Sequence, residues 1–191
     1  MLNYIGFIML MLFFALMAGR GVVMGQKGIT LLVIGQKNKR ELFSFLFGYV
    51  LMIYIVASNC FPLPMFTFAG RFFWSAEWLR WVGAAICAAA HISFIACIIS
   101  FGNSFRVGID EKHAGRLVTT GMYARSRNPM YTSLDALFFG IFLIFPNPGV
   151  LLVLVTLPLT FHFQIKKEEA FCRKHYGKDY IRYCEKVRRY L

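Results

Sequence analysis

Long apolar runs alternate with short polar segments along the chain. Five of these runs predict helices at about residues 2–24, 42–61, 77–101, 129–145 and 150–166. The runs are nearly free of charge, and a helix of about 20 apolar residues is long enough to cross the hydrocarbon core of a bilayer. We therefore predict an all-α, polytopic membrane protein with about five transmembrane helices, in which residues 1–191 form a single integral membrane domain.

The last two helices are joined by the short sequence Pro-Asn-Pro-Gly at residues 146–149. Such a short connection predicts an antiparallel helical hairpin. Residues at equal distances from the turn then lie at the same height, so that Tyr131 is level with Gln164 and Arg127 is level with Glu168. The polar ends of both helices should therefore meet on one side of the membrane.

Each apolar run of this hairpin, residues 131–145 and 150–164, is short for a transmembrane helix. At a rise of about 1.5 Å per residue each run measures about 22 Å, whereas the hydrocarbon core is about 30 Å thick. Either each helix extends into its flanking polar residues, or the polar end of the hairpin lies in a recess that is open to both the cytosol and the lipid.

The chain is strongly basic, with 21 Lys and Arg residues against nine Asp and Glu residues and a net charge of +12. The basic residues fall almost entirely between or after the apolar runs, as in cytoplasmic loops of membrane proteins. This placement indicates attraction to anionic membrane lipids rather than nucleic-acid binding. The compact length and short loops are typical of a prokaryotic inner membrane, with the N-terminus outside and the C-terminus and active site cytoplasmic.

Five cysteines occur without a Cys-x-x-Cys motif or a cluster of His and Cys residues. The sequence therefore predicts neither a disulfide framework nor a metal site. The tail has a different pattern, because Tyr176, Tyr180, Tyr183, Val187 and Tyr190 recur every three or four residues. This spacing predicts an amphipathic helix that packs at the membrane interface and that can also fold over a bound cofactor as a lid.

Asn128 and Pro129 form a helix-start signal in front of the fourth apolar run. Asn is expected to cap the free backbone amides, and Pro suits the first helical position. The amides and the positive end of the helix dipole favour an anion there. The hairpin geometry adds Arg127, Tyr131 and the Glu168–Glu169 pair to one cytoplasmic pocket, although a surface ion pair and an ordinary cap would fit the same pattern.

Asp135 lies inside the fourth apolar run, one helical turn beyond Tyr131. Ionisable residues at such a depth are rare and usually functional, which makes Asp135 a candidate catalytic base. The alternative is a structural role, in which His162, Thr132 or Thr160 satisfies the carboxylate.

Two blocks of sequence resemble the isoprenylcysteine carboxyl methyltransferase family and the related phospholipid N-methyltransferases. They read GRLVTTGMYARSRNPMY at residues 115–131 and KKEEAFCRKHYGKDYIRY at residues 166–183. Two blocks at the polar end of one hairpin are far more specific than either block alone. The positions that match the family pattern are Leu117, Val118, Gly121, Tyr123, Arg127, Asn128, Pro129, Tyr131, Glu168, Glu169, Gly177, Tyr180 and Tyr183.

The resemblance implies a site for S-adenosylmethionine that is built without a Rossmann fold, in segments 102–131 and 164–191. The cofactor-binding residues that it implies are Leu117, Val118, Gly121, Tyr123, Asn128, Pro129, Tyr131, Glu168 and Glu169. The candidate catalytic residues are Arg127, Asp135 and Glu168.

The sequence departs from the family pattern at two places. Asn128 stands where a histidine is usual, and the sequence Val-Arg-Arg-Tyr-Leu at residues 187–191 replaces an end that usually contains proline. An asparagine can form hydrogen bonds but cannot carry a proton.

The expected function is S-adenosylmethionine-dependent methyl transfer at the membrane–cytosol interface. The acceptor is a lipophilic small molecule or lipid that presents a carboxylate, an amine or a thiol. The alternative is an NADPH-dependent membrane reductase of the sterol-reductase type, but Glu168 and Glu169 would be poor neighbours for a 2′-phosphate. A non-catalytic scaffold is a third possibility, and it would leave the clustered polar residues without a purpose.

Overall fold

Six α-helices and one 3₁₀ turn make up the regular structure of the described residues. The computed structural model describes residues 1–29, 39–64, 70–102 and 115–190. Within these ranges β-structure is limited to a single bridge between Ser126 and Arg188, which confirms the all-α class. The elements are α1 (Leu2–Gln26), α2 (Lys39–Ser58), α3 (Glu77–Phe101), the 3₁₀ turn Gly121–Ala124, α4 (Pro129–Ile144), α5 (Pro148–Tyr176) and α6 (Lys178–Lys186).

Helix α5 differs most from the sequence-based bounds, because it continues to Tyr176 rather than ending near residue 166. The apolar run ends at the lysines, but charged residues are good helix formers and Glu169 is still on a buried face. Helix α2 instead ends at Ser58, short of the predicted residue 61. The side chains of Ser58 and Asn59 bond to the carbonyl of Ile55, which competes with further helical hydrogen bonds.

Three of the described helices, α1, α3 and α5, are long and apolar enough to cross a membrane. The apolar part of α2 (Leu42–Ser58) and the whole of α4 are shorter. Helix α4 has 16 residues, so its length of about 24 Å falls short of a hydrocarbon core of about 30 Å. The membrane-protein class is confirmed, and two of the predicted spans are short.

The α4–α5 hairpin forms as predicted. The side chain of Asn147 accepts a hydrogen bond from the backbone amide of Val150 at 3.0 Å, and Pro148 occupies the first turn of α5. This cap satisfies an amide that has no partner within the helix. The turn therefore fixes where α5 begins, and with it the height of every residue that α5 presents to α4.

Helices α3 and α4 approach each other closely through two glycines. A Cβ atom added to Gly140 would lie 2.7 Å from the backbone oxygen of Gly83 and 2.6 Å from Cys87 Sγ. Because backbone atoms cannot move aside as flexible side chains can, only glycine fits at this crossing. This crossing lies near the start of α3 and the end of α4, and it fixes how closely the two helices approach each other there.

A polar cluster ties four elements together at the opposite end of the bundle. Arg80 Nε donates to the carbonyl of Ile144 at 3.1 Å, and a second guanidinium nitrogen donates to the side chain of Asn3. Asn3 in turn donates to the carbonyl of Asn59 at 2.9 Å. These bonds link α1 and α3 to the ends of α2 and α4.

The chain reverses after α5 at Gly177, whose φ of +54° is unfavourable for other residues. Helix α6 then returns towards the polar end of the hairpin with Tyr180 and Tyr183 buried. The predicted amphipathic helix is present, and its aromatic face packs against the protein rather than on the membrane interface. Residues 187–190, which we call the C-terminal strap, continue across the start of α4.

We predict that Gly140→Ala lowers the free energy of unfolding by about 1–3 kcal/mol, because the added methyl group overpacks the α3–α4 crossing. Thermal unfolding in detergent measures the change. Gly19→Ala in α1 is the matched control, since no atom lies within 4 Å of the added Cβ. Equal melting temperatures for the two variants would contradict the proposed close packing.

Candidate active site

A cleft opens at the polar end of the hairpin, between α4, α5, α6 and residues 115–118. Its volume is about 750 Å³ including the opening to solvent. The predicted site residues that line it are Leu117, Val118, Tyr123, Arg127, Asn128, Tyr131, Glu168 and Glu169. Three predicted residues, Gly121, Pro129 and Asp135, are not among the residues lining the cleft.

Glu168 is oriented by two neutral donors. The hydroxyl of Tyr131 and the amide of Gln164 each donate to Glu168 Oε1 at 2.9 Å. Tyr131 comes from α4 and the other two residues from α5, so the hairpin assembles this group as the sequence predicted. The carboxylate is held in one position at the cleft, where it can accept hydrogen bonds from ligand hydroxyls or an ammonium group.

Glu169 is enclosed by positively charged and polar groups. Arg127 Nη2 lies 3.2 Å from Oε1, and Arg189 Nε and Nη2 lie 3.1 and 2.9 Å from Oε2. The sequence placed Arg127 level with Glu168, but its partner is Glu169. Consecutive residues point about 100° apart on a helix, so only one of the two glutamates can face Arg127. Both oxygens of Glu169 are thus bonded to protein groups.

Asn128 does not cap α4 with its side chain, contrary to the sequence-based expectation. Its amide nitrogen lies 3.4 Å from Glu169 Oε1 and 3.2 Å from the carbonyl of Arg189, so the side chain is already committed to these two acceptors. Pro129 does occupy the first turn of α4, as expected. The asparagine therefore fastens α4 to α5 and to the C-terminal strap.

Arg127, which lines the cleft, has a polar group without a hydrogen-bond partner among the described residues. Its side chain is only 9% exposed, and its Nε is buried without a hydrogen-bond partner among the described residues. A buried N–H group without a partner is unfavourable. The guanidinium is therefore suited to an anionic ligand group, which would complete its hydrogen bonds.

Tyrosines form much of the remaining wall. Tyr183 donates to the carbonyl of Tyr123 at 2.6 Å, and Tyr176 donates to that of Gly115 at the same distance. Burial raises the pKa of both Tyr123 and Tyr183 above the usual value, so both hydroxyls stay protonated at neutral pH. The rings provide flat surfaces that can pack against a heteroaromatic ligand.

Gly121 has a structural reason to be glycine. Its φ is +61°, and an added Cβ would clash with the hydroxyl of Ser100. The same hydroxyl lies 3.2 Å from the amide of Met122 and accepts its hydrogen bond. Gly121 therefore lets the 3₁₀ turn close against α3, which positions the neighbouring Tyr123 at the cleft.

Asp135 lies one turn deeper in α4 than Tyr131. None of the structural partners considered for it is bonded to it: Thr132 and Thr160 donate to carbonyls of their own helices, and His162 Nδ1 lies 2.6 Å from the hydroxyl of Tyr190. Its Oδ1 is buried without a hydrogen-bond partner among the described residues. A catalytic role for Asp135 stays a prediction.

A second, apolar pocket adjoins the cleft. It shares Met130 and Tyr131 with the cleft, and its other lining residues are apolar or aromatic side chains from α1, α2, α3, α4 and α5. Its volume is about 600 Å³ including its opening. The apolar and aromatic residues that line only this second pocket are Phe13, Met17, Leu42, Phe45, Leu46, Tyr49, Phe94, Leu134 and Phe161.

Sequence reasoning missed several residues of the cleft. Phe101, Arg116, Met130 and Cys172 line it, and Arg189 organises it through Glu169. Arg116 and Met130 lie inside the first of the two blocks that match the family pattern, as ordinary basic and apolar residues, so no local signal marks them. Arg189 lies in residues 187–191, which differ from the end that is usual in the family. That difference was the one sign in the sequence that pointed to this segment.

Comparison with known proteins identifies the family. The family model described as phospholipid methyltransferase matches residues 78–179, which is more than half of the chain. The chain belongs to the phospholipid methyltransferase family. The matched segment contains α3 from its second residue onward, all of α4 and α5, and most of the cleft. Helices α1 and α2 and the C-terminal strap lie outside it.

A solved structure has the same fold as this phospholipid methyltransferase family member. It is that of the eukaryotic intramembrane Ras methyltransferase, isoprenylcysteine carboxyl methyltransferase, with a TM-score of 0.54 and 21% sequence identity. The similarity covers 81% of this chain and 52% of the other, so the chain spans about half the length of that protein. No curated protein matches the chain in sequence.

We predict that Glu169→Gln lowers the free energy of unfolding by about 2–4 kcal/mol, because two guanidinium groups then lose their shared counter-charge. Differential scanning fluorimetry in detergent measures the shift. Glu185→Gln on the exposed face of α6 is the matched control and should leave stability unchanged. If both variants are destabilised equally, the pairing of Glu169 with the two arginines does not account for the loss of stability.

Proposed function

We propose that this protein transfers a methyl group from S-adenosylmethionine to a lipophilic acceptor at the membrane surface. The observation that carries the proposal is the wall of Met130 and Tyr131 shared by the polar cleft and the apolar pocket. A water-soluble donor in the cleft and a hydrocarbon chain in the pocket would meet at this wall. Membership of the phospholipid methyltransferase family supports the reaction class.

The residues of the cleft fit S-adenosylmethionine. Arg127 has a buried N–H without a partner among the described residues, which suits the carboxylate of the methionyl end. Glu168 suits the ammonium group or the ribose hydroxyls, and the tyrosine rings suit the adenine. The cofactor, when bound, supplies a methyl group that is already activated by the sulfonium.

The protein then has to align the acceptor and exclude water. Tyr131 is held by its bond to Glu168 and is only 7% exposed, so it presents a rigid surface between the two cavities. Fixed alignment in a dry site lowers the barrier for a displacement reaction by several kcal/mol. Because the donor is activated, the residues of the cleft mainly bind and orient.

An amine is the acceptor class that the charges favour. Glu168 is a carboxylate bonded to a residue of the shared wall. A negative charge at the wall attracts an ammonium headgroup and repels a carboxylate. The ammonium must lose a proton before it can accept a methyl group, and Glu168 and Asp135 are the candidate bases.

The cleft is proposed to face the cytoplasm. Exposed basic side chains flank it on α5 and α6, among them Lys166, Arg173, Lys174 and Arg182. Such residues concentrate on the cytoplasmic side of membrane proteins and favour anionic lipid headgroups. The donor would then reach the cleft from the cytosol.

Ligand titration separates methyl transfer from the reductase alternative. We predict that S-adenosylmethionine and S-adenosylhomocysteine raise the melting temperature of the detergent-solubilised protein and that NADPH does not. Arg127→Ala and Glu168→Ala should each abolish the response by removing ligand contacts. Arg182→Ala on the exposed face of α6 is the control and should respond like the wild type. Stabilisation by NADPH alone would refute the proposal.

The apolar pocket gives a separate prediction. Leu46 lines the pocket, whereas Phe43 on the same helix does not. We predict that Leu46→Trp raises KM for the lipid acceptor about tenfold by filling the pocket, and that Phe43→Trp leaves KM unchanged. Transfer of a labelled methyl group into total lipid extract measures both and reveals the acceptor class. An equal affinity of both variants for S-adenosylhomocysteine shows that the cleft is intact.

A further inference from the structure

The C-terminal strap packs along the start of α4. Its backbone carbonyl at Arg188 accepts from the amide of Arg127 at 2.9 Å, and the next carbonyl, at Arg189, accepts from Asn128 at 3.2 Å. Tyr190 extends the contact to His162 on α5. The strap is thus fixed by its backbone, and this places the side chain of Arg189 against Glu169.

The cluster around Glu169 contains more positive than negative charge. One carboxylate faces two guanidinium groups, those of Arg127 and Arg189. Arg189 binds Oε2 through two nitrogens at 3.1 and 2.9 Å, whereas Arg127 has a single contact at 3.2 Å with Oε1. Two charge-assisted hydrogen bonds hold a carboxylate more strongly than one longer contact does. Arg189 is therefore the main partner of Glu169.

The two arginines differ in what they face. The side chain of Arg189 is 35% exposed, while that of Arg127 is 9% exposed and lines the cleft. Arg189 does not line the cleft. The excess positive charge is consequently located on Arg127, whose Nε has no partner among the described residues.

We propose that Arg189 is a positioning residue that binds Glu169 and thereby leaves Arg127 available to the carboxylate of the methyl donor. This inference rests on the proposed function, since it requires an amino-acid end in the cleft. Without Arg189, Glu169 would pair with Arg127 alone, and the cluster would carry no net charge. The cleft would then bind a carboxylate less tightly while its aromatic walls remained unchanged.

The test compares two ligands that differ in the amino-acid end. S-adenosylhomocysteine carries the carboxylate, and 5′-methylthioadenosine has the same adenosine and sulfur but no amino-acid group. We expect Arg189→Ala to weaken S-adenosylhomocysteine binding about tenfold, the loss of roughly one charge-assisted hydrogen bond. Binding of 5′-methylthioadenosine should be unchanged. Isothermal titration calorimetry on the full-length protein in detergent measures both.

Two further variants sharpen the comparison. Arg188→Ala removes an exposed neighbouring arginine that contacts the site through its backbone, so it should bind both ligands as the wild type does. Arg189→Lys retains the positive charge and should therefore restore part of the affinity for S-adenosylhomocysteine that Arg189→Ala loses. The restoration should be incomplete, because lysine cannot make both contacts that arginine makes.

The outcomes are distinguishable. Equal weakening of both ligands in Arg189→Ala would show a merely structural role and overturn the proposal, as would unchanged binding of S-adenosylhomocysteine. If the wild-type protein binds neither ligand, the proposed function itself fails. Selective weakening of the ligand that carries the carboxylate supports the positioning role.

Discussion

The buried carboxylate of Glu169 is the interaction on which the candidate site depends. It joins α5 to Arg127 and Asn128 at the start of α4 and to Arg189 of the strap. A buried charge is tolerated only when partners satisfy it, so these three segments must assemble together. The cleft is the space that their assembly leaves beside Glu168.

The hairpin sets the positions of these groups along the membrane normal. Its turn is fixed by the Asn147 cap, and α5 continues beyond α4 into the polar segment that carries both glutamates. One glutamate faces the cleft and is held by neutral donors, while its neighbour faces the cationic groups. Two adjacent residues of the same type thus have different environments because a helix points them in different directions.

Much of this arrangement could be predicted from the sequence, because its causes are local. Apolar runs predicted the helices, the Pro-Asn-Pro-Gly turn predicted the hairpin, and counting from that turn brought Arg127, Tyr131 and the glutamates together. Arg127 pairs with Glu169 rather than Glu168 because of the rotation of α5 about its axis. Counting residues from the turn predicts the height of a side chain but not the direction in which it points. The role of Arg189 depends on how the strap returns after Gly177.

The two departures from the family pattern are in contact, because the side chain of Asn128 donates to the carbonyl of Arg189. Only the folded structure shows that contact.

The glycine crossing of α3 and α4 has a consequence for motion. Backbones that touch at Gly83 and Gly140 cannot slide past one another without breaking a close-packed interface. The 3₁₀ turn is also bonded to Ser100 near the end of α3, so one wall of the cleft moves with this pair of helices as a rigid body.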